Sequence, residues 1–221
     1  MWHAIFSTIV KVTGFPVYWL LFRPKVYYAN KKKQSRKIKG KAIVVSNHTS
    51  VWDFAVMLFL FPFRLLRCVV AEIIYTRFAM SWFLSWMGAI KVDRHTQDYA
   101  FISKSVEVLN KGGVVEIYPE GRLPDQENDI PPLPFKPSAV YIALESGAPI
   151  IPVYTNGKYF KKERARMIIG EPIFVADLYD DNLSEKENIE KINDYLRNTI
   201  IGLGNELERQ INAKRNTQKE N

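Results

Sequence analysis

A single cysteine, Cys68, stands in 221 residues, so no intrachain disulfide can form and a reducing, cytoplasmic setting is the expectation. Histidine is nearly as scarce. His3, His48 and His95 lie far apart, with no H-E-x-x-H and no cysteine cluster, so no metal site is expected. No G-x-S-x-G occurs, and neither Ser46 nor Ser50 sits in a nucleophile elbow, which argues against a complete serine triad. A P-loop, a dinucleotide-binding glycine fingerprint and internal repeats are also missing. What the chain does hold is apolar: 47% of residues are hydrophobic and 13% aromatic, enough to form a core.

Acid is missing from one stretch in particular. Residues 31–41, KKKQSRKIKGK, hold seven Lys/Arg and no carboxylate, and removing those seven charges from the net +8 leaves +1. The basicity is therefore local, and it fits either a nucleic-acid surface or anionic lipid. The preceding residues favour lipid. From Met1 to Phe22 the one side chain sure to be charged is Lys11, and the segment is rich in Trp, Tyr and Phe. A clean span needs roughly 20 uninterrupted apolar residues. Lys11 and Gly14-Phe15-Pro16 interrupt this one, which predicts two short helices in the headgroup region. A signal peptide fits less well, for want of a basic n-region and an A-x-A-like exit. The lysines should attract an anionic surface and keep the domain C-terminal to them on the cytoplasmic side, with the protein peripheral or monotopic.

The rest of the chain alternates strand and helix signals. Strands are expected at 41–46, 67–71, 89–93, 114–118, 149–154 and 166–170, and helices at 51–60, 77–87, 97–110, 138–146 and 184–213. In the last of these, Ile189, Ile192, Leu196, Ile200, Leu203 and Leu207 recur at steps of three and four. Residues 119–137 form a long proline-rich loop, of the kind that is functional or disordered. The expected architecture is α/β: a single domain (42–213) with a largely parallel sheet flanked by helices. It is preceded by a membrane-associated helical segment (1–30) and a basic linker (31–41), and followed by a flexible tail (214–221).

Residues 46–54, SNHTSVWDF, raise the question of chemistry. Ser50-x-x-Asp53 resembles a capping box, which would make His48 a bystander. In one continuous helix the five-residue step from His48 to Asp53 turns about 140° net, and the side chains diverge. With His48 just before the helix and Asp53 in its first turn, the carboxylate can hold one ring nitrogen and leave the other as a base. Two further polar groups follow strands: Arg94 closes GAIKVDR, and Glu120, Gly121 and Arg122 close YPEGR. Sites gather at the carboxyl ends of parallel strands, and paired arginines suit phosphate. Gly121 would admit close backbone approach.

Taken in order, these blocks resemble the glycerolipid acyltransferases typified by 1-acylglycerol-3-phosphate acyltransferase. His48-x4-Asp53, Gly88 to Arg94, Tyr118-Pro119-Glu120-Gly121, Phe135-Lys136 and Ile150-Ile151-Pro152-Val153 match that family's blocks over roughly residues 40–155. The family's threonine after Glu-Gly is missing, so Arg122 arrives one residue early, and an acidic insertion (123–134) follows. The resemblance implies direct acyl transfer without an acyl-enzyme: His48 as general base, Asp53 orienting it, and Arg94, Glu120, Gly121, Arg122 and Lys136 shaping the acceptor site. The partners implied are a lysophospholipid acceptor and acyl-CoA or acyl-carrier protein as donor, with no cofactor, no metal and no nucleic acid. The rival expectations are a non-catalytic lipid-binding protein on the same fold and an acyl hydrolase.

Overall fold

Short runs of Val and Ile form the centre of the molecule because β-branched side chains suit a sheet covered on both faces. The computed structural model describes residues 2–76, 78–93, 99–125, 127–160 and 164–217. Its strands are β1 (Lys25–Tyr28), β2 (Ala42–Ser46), β3 (Leu66–Ala71), β4 (Ile90–Val92), β5 (Val114–Ile117), β6 (Ile150–Thr155) and β7 (Arg166–Ile169). They make a seven-stranded sheet in the order β1-β7-β6-β2-β5-β3-β4. Every neighbouring pair is parallel except β6 with β7. The helices are α1 (Trp2–Phe22), α2 (Asp53–Leu60), α3 (Phe78–Met87), α4 (Ala100–Asn110), α5 (Ser138–Ser146) and α6 (Glu185–Thr217).

Alternate residues of the central strands face opposite layers. Val44, Val114, Ile151 and Val153 pack with Tyr18 and Phe22 of α1, with Val56 to Leu60 of α2 and with Met87 of α3. Ile43, Val45, Val115 and Ile150 face Val106 and Leu109 of α4, Ala139 to Ala143 of α5 and Ile189 to Ile200 of α6. The α/β architecture and its largely parallel sheet are those expected from the sequence.

The N-terminal segment differs from expectation: one helix of 21 residues replaces two short ones, with Pro16 inside it. The two supposed breaks are packing features. Lys11 is buried, and its Nζ donates to Phe61 O at 3.0 Å and to Arg64 O. Gly14 lies against Phe59, where a Cβ would come within 2.9 Å of the ring. Arg36 of the basic stretch adds Nε to Leu60 O at 2.8 Å and Nη2 to Phe59 O at 2.9 Å. Two cations thus meet the carbonyls that the end of α2 leaves free, where the helix dipole favours them.

The helical segment also ends earlier than residue 30. Lys25–Tyr28 is the edge strand β1, registered Lys25 to Arg166 and Tyr28 to Ile169 of β7. A four-residue strand is too short to give much periodic signal. Nor is 31–41 a free linker. Ile38 is buried, Lys33 pairs with Glu171 at 2.6 Å, and Lys41 donates to Ser146 O. At the other end α6 runs on to Thr217, so part of the expected tail is helix; Gln210 donates to Tyr28 O at 3.1 Å, and Lys214 sits 4.5 Å over the Tyr27 ring. Residues 218–221 lie outside those described.

Candidate active site

The site forms where β2 ends and α2 begins. β2 delivers Ser46, fully buried, and the chain then needs six residues to reach the first turn of α2. Asn47 fastens this stretch to β6: its Nδ2 donates to Thr155 O at 2.9 Å, and Thr155 N donates to its Oδ1 at 2.8 Å. His48 is thereby fixed at the carboxyl edge of the sheet, before the helix, and Asp53 occupies the first helical position.

The imidazole folds back onto the carboxylate, with His48 Nδ1 2.8 Å from Asp53 Oδ2. That same oxygen accepts from the backbone N–H of Thr49 at 2.6 Å and of Ser50 at 2.9 Å. Asp53 Oδ1 accepts from Thr49 Oγ1 at 2.9 Å and from the hydroxyl of Tyr159. Asp53 is fully buried, and five donors converge on its two oxygens. Nδ1 is thus the ring nitrogen that the carboxylate engages. The His48 side chain keeps one fifth of its surface exposed. One face of its ring stacks on Tyr118, with centroids 4.5 Å apart and planes at 25°.

Glu120 comes from the carboxyl end of β5 and reaches the same place from the other side. It is buried, and it bridges two backbones: His48 N donates to Oε1 at 2.7 Å and Leu133 N to Oε2 at 2.8 Å. Burial raises its pKa, against the pull of those two N–H groups. It ties the loop that carries His48 to the long proline-rich loop. That loop is tied down from α6, where Arg197 Nη2 donates to Pro132 O at 2.7 Å and Asn193 Nδ2 to Phe135 O at 2.8 Å.

The remaining sequence-selected residues divide. Gly121 takes φ +71°, in the left-handed region, and Lys136 passes over it, close enough that a Cβ would meet Lys136 Cε at 3.1 Å. Arg122 turns into its own loop, giving Nη1 to Asp129 Oδ2 at 2.5 Å and Nη2 to Oδ1 at 3.0 Å. It stays more than half exposed. Arg94 lies outside the described residues. Among those described, no group of three or more His, Cys, Asp or Glu could hold a metal ion.

Three contributors carried no sequence signal of their own. Tyr159 stands 106 residues from the carboxylate it touches, and Gly157 at φ +65° lets that loop pass close to Thr49. Tyr118 is legible only as the residue before Pro-Glu-Gly. Beneath it Glu116 is wholly buried, accepts from Tyr118 OH on Oε1, and has its pKa raised to about 8, chiefly by burial. An aromatic group closes one flank of the site: Phe22 at the end of α1, Trp52 just ahead of Asp53, and Phe160, with centroids 5.1–6.2 Å apart. Trp52 and Phe160 are about half exposed.

A buried carboxylate, an imidazole hydrogen-bonded to it and an apolar flank thus lie together at the carboxyl edge of the sheet. Comparison with known proteins gives the family. A family model described as Acyltransferase matches residues 25–156. The 1-acyl-sn-glycerol-3-phosphate acyltransferase of Bacillus subtilis is 31% identical over 131 residues, covering 57% of this chain and 62% of the relative. That of Saccharomyces cerevisiae is 26% identical over 178 residues, covering 75% and 57%. The chain thus spans about three fifths of the length of these relatives. The crystal structure of the 1-acyl-sn-glycerophosphate (LPA) acyltransferase PlsC from Thermotoga maritima superposes with a TM-score of 0.64, covering 90% of this chain and 79% of that one, at 19% identity. At that identity the likeness concerns the fold.

Proposed function

We propose, on the premise that this chain belongs to the acyltransferase family, that it moves a fatty acyl group from an acyl thioester to the free hydroxyl of a lysophospholipid at a membrane surface. The acceptor that fits best is 1-acylglycerol-3-phosphate, the product then being phosphatidic acid. The observation that carries the reading is the His48–Asp53 pair at the carboxyl edge of the sheet, with one fifth of the His48 side chain exposed.

Nε2 of His48 takes the proton of the acceptor hydroxyl as its oxygen attacks the thioester carbonyl. The buried Asp53 carboxylate stabilises the imidazolium so formed. Collapse of the tetrahedral intermediate breaks the C–S bond, and His48 returns the proton to the departing thiolate. The free thiol and the new ester balance the reaction without an acyl-enzyme. Glu120 holds the backbone of His48, while Gly121, Lys136, Arg122 and Arg94 shape the acceptor's phosphate site. The donor is acyl-CoA or acyl-carrier protein, and no metal or cofactor enters this scheme.

The membrane reading rests on α1 and α3. Trp2, Ile5, Ile9, Val12, Phe15 and Trp19 are exposed along α1, and Phe78 (88% exposed), Trp82 and Trp86 along α3. Phe6 joins the two helices, with its ring centroid 5.6 Å from Trp82 and 5.3 Å from Trp86. α1 is long and apolar enough to cross a bilayer. Its inner face, however, touches the domain along most of its length, at Phe6, Lys11, Gly14, Tyr18 and Phe22. A helix so attached lies beside the sheet, and its outer face enters the interface as a monotopic anchor, on the cytoplasmic side. Exposed tryptophans on both helices suit the headgroup level.

Purified protein incubated with acyl-CoA or acyl-carrier protein and a panel of lysophospholipids tests the proposal through thiol release and lipid products. Acylation of lysophosphatidate that falls roughly 10²–10⁴-fold in His48→Ala is the expected result. Full activity in that variant would refute the mechanism. Acylation of another lysophospholipid is the second reading, and Arg122's engagement by Asp129 favours it.

A further inference from the structure

The amino ends of the strands hold a second site. A cavity of about 690 Å³ opens there, lined by His3, Arg64, Arg67, Lys91, Lys104 and Lys111 among others. Gly113, just before β5, lines it, whereas Glu120 follows the same strand at its far end. The cavity is therefore separated from the His48 site by the length of the sheet. Gly88 is also part of it. That glycine opens the second sequence block, yet it lies at the edge away from His48.

The cavity is built rather than incidental. Gly88 takes φ +69°, and a Cβ there would come 2.5 Å from Arg67 Nη1 and 3.2 Å from His3. Arg67 Nη1 donates to Gly88 O at 3.3 Å, and Arg64 donates to Ile38 O at 3.1 Å and Gly112 O at 2.6 Å. Carbonyls orient a guanidinium without neutralising it. Lys91 is paired with Glu72 and Lys111 with Glu107. Arg64, Arg67 and Lys104 have no carboxylate within salt-bridge distance among the described residues, although Glu107, which also lines the cavity, attracts Arg67 at longer range. Against the two carboxylates Glu72 and Glu107 stand five cations, Arg64, Arg67, Lys91, Lys104 and Lys111, and this excess of three positive charges, with two guanidiniums held by backbone, makes a phosphate-type anion site.

Its setting identifies the source of the anion. His3 and Ser85 bring α1 and α3 into the wall, next to Trp2 and Trp86, both exposed. Tryptophans at that level lie among phospholipid headgroups. We propose that this cavity binds the headgroup of an anionic phospholipid, so that the domain is held on the bilayer by a charged contact remote from the acceptor site; this rests on the membrane-surface reading of α1 and α3.

The full chain would be titrated calorimetrically with dihexanoylphosphatidylglycerol, which is neither acceptor nor product of the proposed reaction, and with dihexanoylphosphatidylcholine and inorganic phosphate. The expectation is saturable one-site binding of phosphatidylglycerol, weakened at least about tenfold in Arg67→Gln/Lys104→Gln and retained in the charge-matched Lys37→Gln/Lys39→Gln. Equal losses in the two variants would make the effect diffuse charge and overturn the site. No loss in the first variant would do the same. Inorganic phosphate binding as tightly as phosphatidylglycerol would replace the lipid by a soluble phosphate. Flotation of Arg67→Gln/Lys104→Gln with neutral vesicles, together with its acylation of lysophosphatidate, should stay as in the parent. Failure of the parent to float on neutral vesicles would refute the membrane reading itself, separately from the cavity. Lys104→Glu, on the exposed side of α4, provides a second variant that leaves the strand untouched, and it too should lose phosphatidylglycerol binding.

Discussion

Glu116 should make the protein less stable as pH rises from 5 to 8, and Glu116→Gln should remove that dependence. The carboxyl is fully buried in the layer beneath α1 and α2, opposite Val44 and Cys68 in the sheet register. Burial raises its pKa to about 8 from 4.5; the hydrogen bond from Tyr118 works against the shift and the nearby Asp53 charge adds to it. Below pH 4.5 the group is protonated whether the chain is folded or not. Above that value the unfolded chain releases the proton and the folded chain keeps it until about pH 8. Stability is thus fully present below the unfolded pKa and is lost as pH climbs toward the folded one, at up to about 1.4 kcal/mol per pH unit. Between pH 5 and 7 this amounts to roughly 2–3 kcal/mol, or several degrees in Tm for a domain of this size. The glutamine keeps an acceptor for Tyr118 OH and does not titrate. Glu116 Oε2 has no partner among the described residues, so the new amide adds a fixed cost of about 1–3 kcal/mol. The test is therefore the change with pH and not the offset: circular-dichroism melts of both proteins at pH 5, 6, 7 and 8. Tm curves that converge or cross as pH rises are expected. Parallel curves would show that Glu116 is ionised in the fold and refute the reasoning.

Three other perturbations probe the site. Tyr159→Phe removes a hydroxyl donor from Asp53 and should lower kcat roughly 10–100-fold, since one hydrogen bond to a charge contributes about 1.5–3 kcal/mol; a parent-like kcat would sever Tyr159 from the site. Glu120→Gln turns one of two buried acceptors into a donor facing a backbone N–H, and should cost about 2–3 kcal/mol in denaturant unfolding along with most activity; parent-like stability would refute the bridge. Asp129→Ala releases the Arg122 guanidinium, and the KM for lysophosphatidate should fall a few-fold with kcat little changed. An unaltered KM would place Arg122 away from the acceptor.

The central strands and α2 to α6 were legible because their hydrophobic periods matched their burial. Leu109 and Val106 face the sheet on α4, as do Ile189, Ile192, Leu196 and Ile200 on α6. The dyad was legible from a spacing, because both partners lie within six residues. The failures share one physical cause: contacts distant in sequence. Lys11 reads as an interruption of an apolar run until Phe61 O and Arg64 O, 50 and 53 residues away, receive its protons. β1 is recognisable as a strand only through β7, 141 positions on. Tyr159 has no local pattern at all. Arg122 illustrates the converse. Its residue type and its place after a strand suggest a phosphate contact, while the pairing with Asp129, seven residues away in the inserted loop, has no pattern in the sequence.

The capping and catalytic readings of SNHTSVWDF compete as sequence patterns, but the contacts each requires of Asp53 occur together. In a capping box the acid at the third helical position reaches back to free N–H groups ahead of the helix. Asp53 does this with Thr49 and Ser50, but from the first position of α2. Ser50 does not return the favour to Asp53; its hydroxyl accepts from Trp52 N at 3.2 Å instead. The carboxylate is therefore held over the turn that contains residues 48–50, and His48 is the side chain within reach. The backbone N–H groups that need an acceptor at the start of the helix orient the carboxylate, and the oriented carboxylate holds Nδ1 of His48, as the proposed mechanism requires. Asp53→Asn should consequently damage both functions at once. An amide has one oxygen for the five donors that the carboxylate serves, so the turn loosens, and it no longer stabilises an imidazolium on Nδ1. A variant that kept the pH–rate profile of the parent would separate the two functions and contradict this account.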